Sequence, residues 1–154
     1  MDGVIGPVMA LDVGERRIGI AISDPLGITA TPLMTLRRTS LTADLEKIAA
    51  LARERAVTRI LVGYPLHMDG SVSPQAQVSE RFAQALAEAL GEGAPPVILW
   101  DERLSTATAE ERLRELGRKA KAGIDAVAAA VILEEWLTSQ RGPAQIPPPD
   151  EPEA

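Results

Sequence analysis

Cysteine is absent from the chain, which excludes a disulfide framework, a thiolate zinc site and a cysteine nucleophile, and suits a reducing compartment. Aromatic residues are scarce: Tyr64, Phe82, Trp100 and Trp136 make up the whole set, too few for an extended platform on which nucleic-acid bases stack. The two tryptophans end apolar runs and are expected in the core. Nor does any uninterrupted apolar run approach the roughly 20 residues that span a bilayer. Met1 to Pro7 lacks the charged segment and apolar stretch of a secretory leader. A soluble, cytoplasmic protein with no membrane partner is expected. At 154 residues the chain suits one domain with a real core and is too short for two sizeable lobes.

The formal net charge of −6 argues at first sight against a nucleic-acid partner, because phosphate binding is driven largely by Lys and Arg. Its distribution tells more than its sum. Asp150, Glu151 and Glu153 lie in a proline-rich tail, whereas Arg112, Arg114, Arg118, Lys119 and Lys121 crowd together within the body. Residues 1–141 are expected to form the folded domain and 142–154 a disordered, acidic tail.

Val8 to Asp12 is apolar with almost no alternation, as for a strand buried on both faces, and Gly14 to Arg17 reads as a turn. Ile18 to Ser23 continues as a strand, so the pair is an antiparallel hairpin. Ile28 to Leu36 is a third strand, which Pro32 consigns to an edge or a bulge. Leu41, Leu45, Ile48, Ala49 and Ala52 recur at helical spacing to about Arg55, with Asp44, Glu46, Lys47 and Arg53 on other faces. A short strand over Arg59 to Gly63 follows. Ser73-Pro74 is a helix cap followed by proline at the first helical position, and Gly91 is placed to stop that helix. Val97 to Trp100 reads as another buried strand, a helix starts near Ser105, Thr106 or Thr108 and closes at Gly117, and Asp125 opens a last helix containing Ile124, Val127, Ala128, Val131, Ile132 and Trp136. There is no internal repeat. The order β-β-β-α-β-α-β-α-α predicts an α/β protein with a mixed five-stranded sheet flanked by helices.

Open α/β sheets bind ligands beyond the carboxyl ends of their strands. Asp12 ends the first strand, Asp101 and Glu102 end the last, and Asp125 begins the final helix. Carboxylates gathered on one rim repel one another unless cations lie between them. Mg²⁺ or Mn²⁺ favour such oxygen ligands, and a pair of ions can activate water and stabilise the leaving oxygen in phosphodiester cleavage. Each acid also has a plainer reading: Asp12 hydrogen-bonding the Gly14 backbone, Asp101 or Glu102 pairing with Arg103 as a loop charge, Asp125 serving as a helix cap. Arg16 and Arg17 in the first hairpin, with Arg118, Lys119 and Lys121, could clamp phosphates on either side of the acids. The plain reading of these bases is a solvated charge run.

Four segments, Ala10-Leu-Asp-Val-Gly-Glu-Arg-Arg-Ile-Gly-Ile-Ala-Ile-Ser-Asp24, Val62-Gly-Tyr-Pro-Leu-His-Met-Asp-Gly-Ser71, Asp101-Glu-Arg-Leu-Ser-Thr106 and Ile124-Asp-Ala-Val-Ala-Ala-Ala130, resemble the YqgF/RuvX family in order and spacing, from about Met9 to Leu137. The resemblance implies an RNase H-like fold and a metal-dependent nuclease, a Holliday-junction resolvase or an enzyme processing the 5′ end of pre-16S ribosomal RNA. It implies catalytic, metal-binding acids at Asp12, within Asp101-Glu102, and at Asp125. Which of Asp101 and Glu102 faces the metal stays open, since successive strand residues point to opposite faces. Many family members carry Asn where this chain has His67, a residue read here as lying on a surface loop, with Asp69 as a turn residue before Gly70. The implied partner is precursor rRNA or branched DNA, met by a monomer or a homodimer. Two other functions compete. Leu11-Asp-Val-Gly14 also resembles the phosphate loop of the actin and sugar-kinase group, but one lobe cannot enclose ATP as their two do. A non-catalytic nucleic-acid-binding factor would keep the fold without strong cleavage.

Overall fold

The computed structural model describes residues 5–102, 111, 115 and 122–141. Five strands, β1 (Val8–Val13), β2 (Arg17–Ser23), β3 (Ala30–Arg37), β4 (Arg59–Tyr64) and β5 (Val97–Asp101), alternate with helices α1 (Leu41–Glu54), α2 (Pro74–Leu90) and α3 (Ile124–Arg141). They form one mixed sheet in the order β3-β2-β1-β4-β5. β1, β2 and β3 pair antiparallel as successive hairpins, while β4 and β5 run parallel to β1. Each parallel crossover is supplied by a helix, as the geometry of such a connection requires. The sheet, its mixed character and its strand count match the expectation. The helix expected between 105 and 117 falls, apart from residues 111 and 115, outside the described residues, as does the tail from 142 onward. Among the described residues no helix is long and apolar enough to cross a membrane.

The central strand is apolar on both faces because both are covered. Met9, Leu11 and Val13 pack with Ile48 of α1 and Phe82 and Leu86 of α2, whereas Val8 and Ala10 pack with Ala129, Leu133 and Leu137 of α3. Strand alternation carries this assignment along the sheet. Ile18, Ile20, Ile60 and Val62 belong to the α1/α2 face, and Ala21, Leu61, Ile98 and Trp100 to the α3 face.

Local signals explain the boundaries. Pro32 lies in β3, an edge strand, where the register against β2 shifts between Ile20 and Ala21; a residue without an N–H is tolerated there. The Ser73 hydroxyl accepts from the Ala76 N–H at 2.9 Å and Pro74 takes the first turn, while Gly91 ends α2 at φ 83°. Ser40 caps α1 in the same way, accepting from Ala43 at 3.1 Å.

Four expectations need correction. Asp44 does not lie on a solvent face: it is 1% exposed and accepts from Arg38 Nε at 3.0 Å and the Thr39 N–H at 3.1 Å. Arg38 in turn donates to the Gly14 carbonyl and lies over the Phe82 ring, so this pair ties the β1–β2 turn to both helices on that face. β5 is half-buried along its length, being the other edge of the sheet. Trp100 is likewise only partly buried, unlike Trp136. Leu41 and Ile124, counted with apolar helix faces, are 48% and 63% exposed, each being the first residue of its helix.

Candidate active site

The carboxyl end of β1 is where Asp12 and the first turn of α3 come together. Asp12 is in step with Val8 and Ala10, which places it on the α3 face, and its register partner on β2 is Gly19. A Cβ on Gly19 would overlap the main-chain carbonyl of Asp125. The missing side chain therefore lets the first turn of α3 rest directly on β2, beside Asp12. That approach is fixed on its other flank by Thr35 of β3, whose hydroxyl donates to the Ala122 carbonyl at 2.6 Å.

Asp12 and Asp125 feel each other electrostatically. The Asp12 carboxyl is pushed from its ordinary 3.8 up to about 6, first by burial and second by the Asp125 charge. Both effects penalise the ionised form. The plainer role for Asp12 is not used, because the Gly14 N–H donates to the Arg17 carbonyl at 2.8 Å instead. Asp125 is not the cap of its helix: α3 begins at Ile124, and Asp125 lies in the first turn. Its Oδ2 accepts from Arg17 Nε at 2.7 Å.

The two alternatives at the end of β5 separate by face. Asp101 is in step with Val97 and Leu99, on the α1/α2 side. Glu102 turns the other way. A Cβ on Gly63 of β4 would collide with the Glu102 carboxylate and lie 2.6 Å from Ile132 Cδ1 of α3, so Glu102 shares a face with Asp12 and Asp125. Both Glu102 and Asp101 make further interactions. As they stand, no three His, Asp or Glu side chains among the described residues converge tightly enough to enclose an ion. The donor set nevertheless suits a hard divalent cation: all ligands would be carboxylate oxygens, and two of them are held together at an electrostatic cost.

Arg16 and Arg17 stand exposed at this rim, at the turn and at the start of β2. Arg118, Lys119 and Lys121 lie outside the described residues. His67 and Asp69 sit in the loop after β4, a tight turn closed by the Gly70 N–H donating to the His67 carbonyl at 2.8 Å and by the Ser71 N–H and hydroxyl donating to Asp69. These bonds lower the Asp69 pKa. Asp24 is also structural: N–H groups of Thr29 and Ile28 hold its carboxyl below its ordinary range. Sequence reasoning missed Gly19 and Gly63 as the residues that admit Asp125 and Glu102. A signal existed, since glycine inside a strand marks close approach of another group.

A family model described as "RuvX: Holliday junction resolvase" matches residues 6–139. The chain belongs to the RuvX family. A protein of Myxococcus xanthus named "Putative pre-16S rRNA nuclease" is 48% identical over 138 residues, covering 88% of this chain and 89% of its own. One of the same name from Synechococcus sp. is 44% identical over 138 residues, covering 88% and 91%. Among solved structures, T. thermophilus RuvC in complex with Holliday junction substrate aligns with a TM-score of 0.58 at 13% identity, covering 89% of this chain and 96% of that one. That likeness establishes the RNase H-like fold. Membership of this nuclease family makes the reaction class hydrolysis of nucleic-acid phosphodiester bonds.

Proposed function

We propose that this RuvX protein is a metal-dependent nuclease that processes the 5′ end of pre-16S rRNA, with Asp12, Asp125 and Glu102 as the metal ligands. The observation that carries the reading is the acid pair: Asp125 is seated on Gly19, the register partner of Asp12, and burial together with the Asp125 charge pushes the Asp12 carboxyl up to about 6. Divalent cations lower the pKa of neighbouring groups and stabilise clustered carboxylates. Bound Mg²⁺ or Mn²⁺ would supply an activated water and charge stabilisation at the leaving oxygen. The chain's own part is to orient. β1 fixes Asp12, the Gly19 contact seats Asp125, and Glu102 lies across Gly63. Asp101, on the other face, is left out of the ligand set. Arg16 and Arg17, with Arg118, Lys119 and Lys121, hold the phosphates of the polyanion, which fixes register without reading sequence.

The substrate assignment is supported by relatives named for pre-16S rRNA that match over nearly nine-tenths of both chains. We take residues 1–141 as the nuclease domain and 142–154 as an extension. Trimming an end needs one active site, so a monomer suffices, and work on precursor rRNA puts the protein in the cytoplasm. Cutting a symmetric junction would instead require a two-fold dimer. The test is cleavage of a precursor 16S rRNA fragment, four-way-junction DNA and single-stranded DNA, each with Mn²⁺ or EDTA. Metal-dependent cutting of the RNA above both DNAs is expected. Preference for the junction would replace the substrate, and binding without any cutting would favour the non-catalytic factor.

A further inference from the structure

We propose that Arg17 is a gate on the acidic site: its guanidinium, paired with Asp125, competes with a metal ion for that carboxylate, and metal binding releases it to hold a substrate phosphate. The inference rests on the metal-nuclease reading above and adds a coupling between the two ligands. Arg17 Nε lies 2.7 Å from Asp125 Oδ2, with the two side chains 55% and 30% exposed. Such an open, single-charge contact is weak and is displaced readily by a divalent ion. The main chains cannot yield in its place. Arg17 is held in the β1–β2 turn, where its carbonyl accepts from Gly14, and by its register with Arg37. Asp125 is seated on Gly19, which alternation puts on the same face of β2 as Arg17. The long, exposed arginine side chain is the one with room to swing away. Its length and its fork of donors then suit it to a phosphate at the same rim.

Reciprocity follows from linkage: if metal frees Arg17 for nucleic acid, nucleic acid must tighten metal binding by the same factor. The test begins with calorimetric titration of Mn²⁺ into the full chain, without nucleic acid, for wild type, Arg17→Gln and Arg16→Gln. The last removes an equal charge one residue away and controls for general electrostatics. Arg17→Gln should bind Mn²⁺ about fivefold tighter than Arg16→Gln, the size of one exposed ion pair. Equal or weaker binding overturns the gate. The second readout is anisotropy of a labelled phosphorothioate oligonucleotide. In EDTA, Arg17→Gln should bind as wild type does; in Mn²⁺ it should bind more weakly, with a salt slope shallower by about one. A loss of the same size in both conditions would make Arg17 a constant phosphate contact and overturn the gate. If Mn²⁺ binds all three proteins equally the gate fails alone. If it binds none, the metal reading fails with it.

Discussion

Replacing Asp12 by Asn should make the protein more stable while abolishing its cleavage. Burial and the Asp125 charge raise the Asp12 carboxyl from 3.8 to about 6, so the folded state holds its proton more tightly than the unfolded chain does. For an acid raised in this way, the stability contribution is complete below the unfolded pKa and is lost as pH climbs to the folded one. At neutral pH the ionised Asp12 therefore costs about 3 kcal/mol, by the 1.36 kcal/mol that each pKa unit represents. Asn keeps the size and removes the charge. In EDTA, the melting temperature of Asp12→Asn should exceed that of wild type by about 6–12 °C at pH 8, at roughly 2–4 °C per kcal/mol for a chain of this size. The gap should open between pH 4 and 6, be nearly closed at pH 3.5 and stay level above pH 6.5. Scanning calorimetry across that range is the assay. A gap of constant size at every pH, or a less stable variant at pH 8, would refute the claim that Asp12 is a desolvated acid facing a second carboxylate.

Two further variants probe the frame around the site. Gly19→Ala forces a methyl group into the Asp125 main chain; urea unfolding should show a loss of about 2–3 kcal/mol, as overpacking against immovable backbone costs, and Mn²⁺ affinity should fall with it. Asp44→Asn leaves Arg38, 19% exposed, without its charged partner. A loss of about 2–4 kcal/mol in urea is expected for a broken, largely buried pair, with Mn²⁺ affinity of the folded protein unchanged, since Asp44 lies on the other face of the sheet.

The sheet was legible in the sequence because its strands announce themselves: an apolar run for buried β1, Pro32 for the edge strand β3, Ser73-Pro74 and Gly91 for the limits of α2. Asp12 and Asp125 were legible as positions at strand and helix ends. Their juxtaposition was not, because it depends on Gly19 admitting a helix that begins more than a hundred residues later. The choice between Asp101 and Glu102 was closed to sequence reasoning for a similar reason. Alternation says the two point apart but not which side holds α3, and the space Glu102 uses is opened by Gly63 on another strand. Asp44 was misplaced because a charged residue in an amphipathic pattern is normally solvated; only the fold brings Arg38 and the Thr39 N–H to it.

The central claim is that Asp12, Asp125 and Glu102, and not Asp101, hold the metal that cuts nucleic acid. Single-turnover cleavage of a precursor 16S rRNA fragment in Mn²⁺ by Asp12→Asn, Asp125→Asn, Glu102→Gln and Asp101→Asn tests it most directly. The account predicts that the first three lose cleavage by at least about a hundredfold while retaining RNA binding, and that Asp101→Asn cuts within a fewfold of wild type. Full activity in Glu102→Gln together with loss in Asp101→Asn, or cleavage by wild type that persists in EDTA, would contradict it.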